Sequence, residues 1–235
     1  MDLSIAVPAY NEERRIRDTL QSLQTALAAR STAWEVLVVD DGSTDDTAAV
    51  VLEWAVGHPQ VRLLQNPGNR GKGYSVRHGV SQANGAVVGF IDADNKTDLG
   101  QLEAALQALR AGADMVIGDR TLAASDIDVP RRAYRQWGSD QFRRLVRWWM
   151  GLGNYPDTQC GYKFLRAPVA VDLFGRLQTE GYMFDVELLL LADRAGYRVE
   201  RLPVRWRDDP DSRFHPVRGT VRNLRELARI RRLCR

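Results

Sequence analysis

Residues 86–94 read Ala-Val-Val-Gly-Phe-Ile-Asp-Ala-Asp, an apolar run that stops at two carboxylates. A short continuous apolar run is the pattern of a strand buried on both faces, as in a parallel sheet covered by helices. Working outward, the same kind of run recurs at Leu3–Val7, Trp34–Val39, Val61–Leu64 and Met115–Ile117. Helical patterns separate them. Ile16, Leu20, Leu23 and Leu27 share one face, and Leu102, Leu106 and Leu109 repeat the period in Leu99–Arg110. Ser43 and Asp46 suit the start of another helix, the hydroxyl as cap and the carboxylate as its box-like partner. Strands alternating with helices give an α/β domain with one open, mostly parallel sheet flanked by helices.

Past Arg120 the pattern changes. A helix rich in Arg and Trp is expected over Ala133–Met150, and a turn leading into a short strand over Pro156–Leu165. Two further helices are expected over Val169–Leu177 and Val186–Ala195, a strand over Arg198–Trp206, and a basic helix over Val217–Leu233. With 235 residues and no linker or repeat, the chain reads as one domain, with halves 1–120 and 121–235. The second half is expected to pack over the sheet edge as a lobe.

Composition excludes several classes. Apolar content of 44% and charged content of 27% are those of a globular protein, not a disordered one. The two cysteines, Cys160 and Cys234, lie far apart and lack metal-ligand spacing. No run approaches the roughly 18 apolar residues of a membrane span, and the N-terminus turns polar too early for a secretory signal. These features fit a reducing cytoplasm. The net charge of +3 is modest, but the basic residues crowd the second half.

Ligands of open parallel sheets bind beyond the carboxyl ends of the strands. Each expected strand ends there in a polar or glycine-rich cluster: residues 8–12, 40–43, 66–73, 92–94 and 118–120. The cleft they form lacks the G-x-G-x-x-G of a dinucleotide site and the G-x-x-x-x-G-K-[ST] of a P-loop. Asp92 and Asp94, two residues apart at a strand end, are instead suited to a hard divalent cation shared with substrate phosphates.

In order, V-P-A-Y-N-E (7–12), V-V-D-D-G-S-T-D (38–45), N-R-G-K-G (69–73), D-A-D (92–94) and G-D-R (118–120) resemble family 2 glycosyltransferases, in particular the polyprenyl-phosphate (dolichyl-phosphate-type) hexosyltransferases. The later segments D-T-Q-C-G-Y-K-F (157–164) and F-D-V-E-L-L (184–189) look most like the branch that makes dolichyl-phosphate glucose from UDP-glucose. The resemblance implies the GT-A fold with a C-terminal acceptor-side lobe, and inverting hexose transfer from a nucleotide sugar to a polyprenyl phosphate. GDP-mannose as donor, or a soluble or saccharide acceptor, are the alternatives within the family. A sugar nucleotidyltransferase would carry a glycine-rich loop after the first strand, where Ala9-Tyr10-Asn11 stands; a non-catalytic sensor would bind donor without turnover.

The resemblance also assigns roles. Pro8, Tyr10 and Glu12 lie against the nucleoside, and Asp41 accepts a hydrogen bond from its base. Gly71 and Lys72 approach the phosphates. Asp94 holds Mg2+ or Mn2+, with Asp92 on the metal or the ribose. Arg120 contacts the diphosphate or the incoming phosphate; Arg132 and Arg207 clamp the acceptor phosphate. Asp157 stands where relatives carry a candidate base, and positioning of acceptor or sugar is its other use. Asn95 and Lys96 depart from the family pattern after D-A-D, so no third protein ligand to the metal is assigned.

Arg143-Arg-Leu-Val-Arg-Trp-Trp-Met150 and the basic tail suggest attachment to an anionic membrane surface, since tryptophan suits the headgroup region. A solvated face over a Trp-rich core is the alternative. No nucleic-acid motif accompanies the charge. The expected location is the cytoplasmic face of a membrane, held peripherally.

Overall fold

The structure, a computed structural model, describes residues 1–28, 30, 32–127, 133–207 and 216–233, with backbone alone for 133–140 and 216–220. Arg132, Cys234 and His215 lie outside the described residues.

Seven strands build the main sheet: β1 (Leu3–Ala9), β2 (Trp34–Asp40), β3 (Val61–Gln65), β4 (Val87–Ile91), β5 (Met115–Asp119), β7 (Tyr162–Arg166) and β8 (Val199–Pro203). Their order is β3-β2-β1-β4-β7-β5-β8, and every pairing is parallel except those of β7, which runs antiparallel between β4 and β5. A two-stranded ribbon, β6 (Asp126–Ile127) with β9 (Arg205–Trp206), lies alongside. Eight α-helices complete the described chain: α1 (Ile16–Ala28), α2 (Thr47–Gly57), α3 (Lys72–Ser81), α4 (Leu102–Arg110), α5 (Ala133–Met150), α6 (Ala167–Arg176), α7 (Phe184–Arg194) and α8 (Pro216–Leu233).

Strand periodicity divides the core between the two faces of the sheet. On β1, Leu3, Ile5, Val7 and Ala9 join Ile16, Leu20, Leu23 and Leu27 of α1 and Leu102, Leu106 and Leu109 of α4. Ala6 points the other way, into a core with Val76 of α3, Phe174 of α6, Leu188 of α7 and Leu227 of α8. The sheet is thus covered on both sides along its central strands, and the polar clusters gather at the strand ends.

Three expectations change. The second half is not only a lobe over the edge, because it inserts β7 into the middle of the sheet and adds β8 at its end. Ser43 does not cap α2, which begins at Thr47; its hydroxyl accepts a hydrogen bond from the Asn11 amide at 2.9 Å. Leu99–Arg110 is also not uniform: Leu99–Gln101 forms a 3-10 turn, capped by Asp98, before α4. No helix among the described residues is long and apolar enough to cross a membrane.

Candidate active site

The loops after β1 and β2 are stitched to each other. Besides the Asn11–Ser43 bond, Asn11 Oδ1 accepts from the Thr44 amide at 2.8 Å, and the Glu12 amide donates to Thr47 Oγ1 at 2.7 Å. Asn11 adopts φ +56°, a conformation that Asn tolerates better than most residues. Pro8 is half-buried at the end of β1 and Tyr10 is exposed beside it. The Glu12 carboxylate is held by Arg15 at 2.7 and 2.8 Å, so it shapes this loop from within the chain.

Asp41 is buried at the end of β2 and organises the glycine-rich loop. Its oxygens accept from Asn66 Nδ2 (2.7 Å), the Arg70 amide (3.0 Å) and the Gly71 amide (2.8 Å). Asn66 in turn donates to Ser75 Oγ at 2.9 Å and meets His78 Nδ1 at 2.8 Å. A carboxylate has about four acceptor positions, so three are filled by the chain itself. Asn66 was not among the expected site residues; it stands at the head of the 66–73 cluster.

Lys72, the first residue of α3, places Nζ 2.6 Å from Asp92 Oδ1 at the end of β4. Burial alone would lower the Lys72 pKa, but Asp92 and Asp185 outweigh it and raise the value. Burial would likewise raise the Asp92 pKa; Lys72, Lys163 and Arg120 outweigh it and hold the group below the usual carboxylate range. Asp94 is pushed up, by burial and by the neighbouring negative charge of Asp92. Among the described residues it meets Lys96, through the amide at 3.3 Å and Nζ at 3.4 Å.

The pair suits a divalent cation. Asp92 and Asp94 expose 31% and 24% of their side chains, so both reach the cleft, and their mutual repulsion is the kind that a divalent cation relieves. Hard oxygen donors fit Mg2+ or Mn2+, and an ion held by two carboxylates takes its other ligands from phosphate and water. Among the described residues no third His, Cys, Asp or Glu joins them.

Beyond β5, Arg120 grips Asp157, whose side chain is wholly buried. Burial would raise the Asp157 pKa, but Arg120 holds it down at about 2. Trp206 of β9 lies under the guanidinium, 5.5 Å from ring centroid to Cζ. The next residue, Arg207, donates its amide to the Lys96 carbonyl at 2.8 Å, so it is tied to the loop that follows Asp94. Asp94 and Arg207 are therefore neighbours along one rim; Arg132 lies outside the described residues.

Beneath the rim lies an ion pair that the motifs did not disclose. Lys163 of β7 is fully buried and donates to Asp185 Oδ1 at 2.6 Å and to the Cys160 carbonyl at 2.7 Å. Asp185, pushed up by burial, is only partly relieved by Lys163 and Lys72. A lysine inside the apolar strand Tyr162–Leu165 was the signal, since a buried cation requires a buried anion. Cys160 is buried as a thiol, its pKa pushed up to about 12 by burial.

Residues 4–167 match the model of the family described as glycosyl transferase family 2. The dolichyl-phosphate beta-glucosyltransferase of Drosophila melanogaster is 35% identical over 98% of this chain and 74% of its own length. That of Saccharomyces cerevisiae is 30% identical over 97% of this chain and 74% of its own. The chain thus spans about three quarters of these two relatives. The crystal structure of glucosyl-3-phosphoglycerate synthase from Mycobacterium tuberculosis in complex with Mg2+ and uridine diphosphate superimposes with a TM-score of 0.73 over 99% of this chain and 79% of that one, at 20% identity. That likeness concerns the fold, which is the GT-A fold expected from the motifs.

Proposed function

The chain belongs to glycosyl transferase family 2, and we propose that this glycosyltransferase moves glucose from UDP-glucose onto a polyprenyl or dolichyl phosphate with inversion at the anomeric carbon. The observation that carries this reading is one rim bearing two unlike charged groups. Asp92 and Asp94 with Lys72 suit a nucleotide diphosphate and its cation, while Arg120, Asp157 and Arg207 suit a second phosphate beside it.

In the proposed reaction an acceptor phosphate oxygen attacks C1 of the sugar as the bond from C1 to the diphosphate breaks. Asp92 and Asp94 would hold Mg2+ or Mn2+, which supplies charge stabilisation for the departing diphosphate. Lys72 offers a mobile point charge to the same phosphates. Asp41 acts on the nucleotide through the loop it pins, with one acceptor position left for the base. Pro8, Tyr10 and Glu12 form the nucleoside side. The acceptor phosphate is already ionised at neutral pH, so its attack needs alignment more than proton removal. Asp157 supplies that alignment by fixing Arg120, and Arg132 and Arg207 offset the repulsion between acceptor and donor.

The acceptor's hydrocarbon tail calls for a lipid-facing surface. Trp148 on α5 is 80% exposed beside exposed Arg144 and Leu145. Arg231 of α8 stacks over Trp149, and Arg225, Arg229 and Arg232 stand exposed on the same helix. Aromatic rings among cations suit an anionic membrane surface.

Radiolabelled UDP-glucose and GDP-mannose, offered in parallel with dolichyl phosphate, test the reading. Label from UDP-glucose should enter the organic phase. Transfer from GDP-mannose alone would move the chain to the mannosyl branch, and transfer only to water-soluble acceptors would remove the lipid.

A further inference from the structure

The basic helix α8 reaches the donor side through one carboxylate. Glu226 Oε2 accepts the Met183 amide at 3.0 Å, and the carboxylate presses against Gly181 so closely that any Cβ there would meet Oε1 at 2.0 Å. Arg222, one turn earlier on α8, lays its guanidinium over the Tyr182 ring at 5.0 Å. Leu227 and Ile230 are buried in the same core as Met183 and Phe184. Three successive residues of the segment before α7 are thus held by α8.

That segment also bears on the glycine-rich loop. At its start, the amides of Gln178 and Thr179 donate to the two oxygens of Glu187, at 3.0 and 2.7 Å. In its middle, the Thr179 carbonyl would lie 2.5 Å from a Cβ at residue 73, and the Glu180 carbonyl 2.5 Å from a Cβ at residue 71. The Glu180 carbonyl also accepts the Tyr74 amide at 3.1 Å, and its carboxylate meets Arg70 at 3.1 Å and Arg77 at 3.5 Å. Residues 178–183 therefore form a bar, anchored by Glu187 at one end and Glu226 at the other, whose centre rests on Gly71 and Gly73 on either side of Lys72. Gly71 has φ +109°, so the loop has no relaxed alternative with a side chain there.

We propose that Glu187 and Glu226 are positioning residues for donor binding, and that α8 sets the glycine-rich loop through Glu226. The nucleotide half of the proposal rests on the UDP-sugar reading; the loop half does not. Glu226→Ala removes the acceptor at Met183, whereas Glu226→Gln keeps a carbonyl that can take the same bond.

Two measurements on the full chain test it. Hydrogen exchange of the Gly71 amide, which donates to Asp41, should quicken in Glu226→Ala and stay near wild type in Glu226→Gln. Calorimetry with UDP and Mn2+ should show the dissociation constant rising about tenfold in Glu226→Ala, within the range for contacts that act through intervening residues, while Gln restores it. Gly181→Ala should reproduce the Ala phenotype, because its methyl displaces the carboxylate without removing it. A Glu226→Ala variant with a lower melting temperature but wild-type Gly71 exchange would overturn the proposal and leave Glu226 a packing residue. Failure of wild type to bind UDP would count against the functional reading, with the exchange experiment still deciding this one.

Discussion

Arg120 and Asp157 meet at three points: Nε to Oδ2 at 2.7 Å, Nη2 to Oδ1 at 2.7 Å, and the Arg120 amide to Oδ2 at 3.0 Å. This fork geometry binds a carboxylate rigidly and leaves the rest of the guanidinium for another anion. It also favours positioning over proton removal as the use of Asp157. A carboxylate held at about 2 is ionised throughout the neutral range and is a weak base.

Asp157→Asn should therefore lower kcat by a similar factor at every pH between about 5 and 9, with no change in the shape of the profile. Loss of an acid-limb pKa in that variant would restore the base. Stability gives a second readout. The folded pKa is depressed from 3.8, so the contribution, about 2 kcal/mol, is fully present above pH 4 and lost as pH falls toward 2. Asp157→Asn should lack that acid-labile component in denaturant titrations. Asp157→Ala, which leaves a largely buried guanidinium without its carboxylate, should cost about 3 kcal/mol.

Asp94→Asn should reduce kcat by about 10²–10³-fold, the scale for losing an electrostatic stabiliser. Direct Mn2+ binding, followed by electron paramagnetic resonance, should weaken in parallel. Excess chelator should abolish turnover, and Mg2+ or Mn2+ should restore it. Full turnover in chelator would remove the metal from this site.

Much of this was legible before the structure. The strands Leu3–Val7 and Trp34–Val39 fall within β1 and β2, which are covered on both faces and apolar but for Ser4 and Glu35, and Val61–Leu64 falls within the edge strand β3 despite its exposed Arg62. The polar clusters after β3 and β4 meet on the expected rim, with Lys72 against Asp92. The antiparallel insertion of β7 was not legible, because periodicity carries no direction and a short strand gives no clue to its neighbours. Ser43 misled because a hydroxyl near a helix start has two equivalent local uses, and here Asn11 claims it. Glu187 lies in the F-D-V-E-L-L segment (184–189), but its acceptance of the amides of residues 178 and 179 is a tertiary contact that no local pattern signals.

The Lys163–Asp185 pair should behave as a buried charge pair beneath the site. Lys163→Met alone should cost about 3–5 kcal/mol, since it leaves Asp185 buried against a neutral neighbour. Lys163→Met combined with Asp185→Leu should recover most of that loss, because two buried charges vanish together. Chemical denaturation of the four-member cycle measures the coupling. Additive losses would mean that each group is held by other partners.

Vesicle binding should depend on the exposed ring and cations of α5. Trp148→Ala together with Arg144→Gln should weaken co-sedimentation with vesicles of anionic lipid. Wild-type binding should fall as salt rises, because each basic residue near the surface contributes about 1 kcal/mol that ions screen. Neutral vesicles serve as the control. Equal sedimentation of variant and wild type would make this face ordinary solvent-facing surface.

Asp41 offers the sharpest separation of loop order from base recognition. Its two oxygens hold Asn66, Arg70 and Gly71, so Asp41→Ala releases the backbone on which Lys72 is mounted. Hydrogen bonds to a charged group contribute about 1.5–3 kcal/mol each, and UDP affinity should fall by at least one such bond. Asp41→Asn discriminates further. Its amide keeps one acceptor oxygen, but its NH2 cannot accept and would face a backbone amide donor. Such a variant should lose Gly71 amide protection as well as UDP affinity if Asp41 works through the loop. If Asp41→Asn keeps Gly71 protected and still loses UDP while binding other nucleoside diphosphates, the carboxylate reads the base directly. Equal loss across UDP, GDP and ADP would instead place its action on the shared phosphates, which is the outcome expected from a residue that pins the loop beside Lys72.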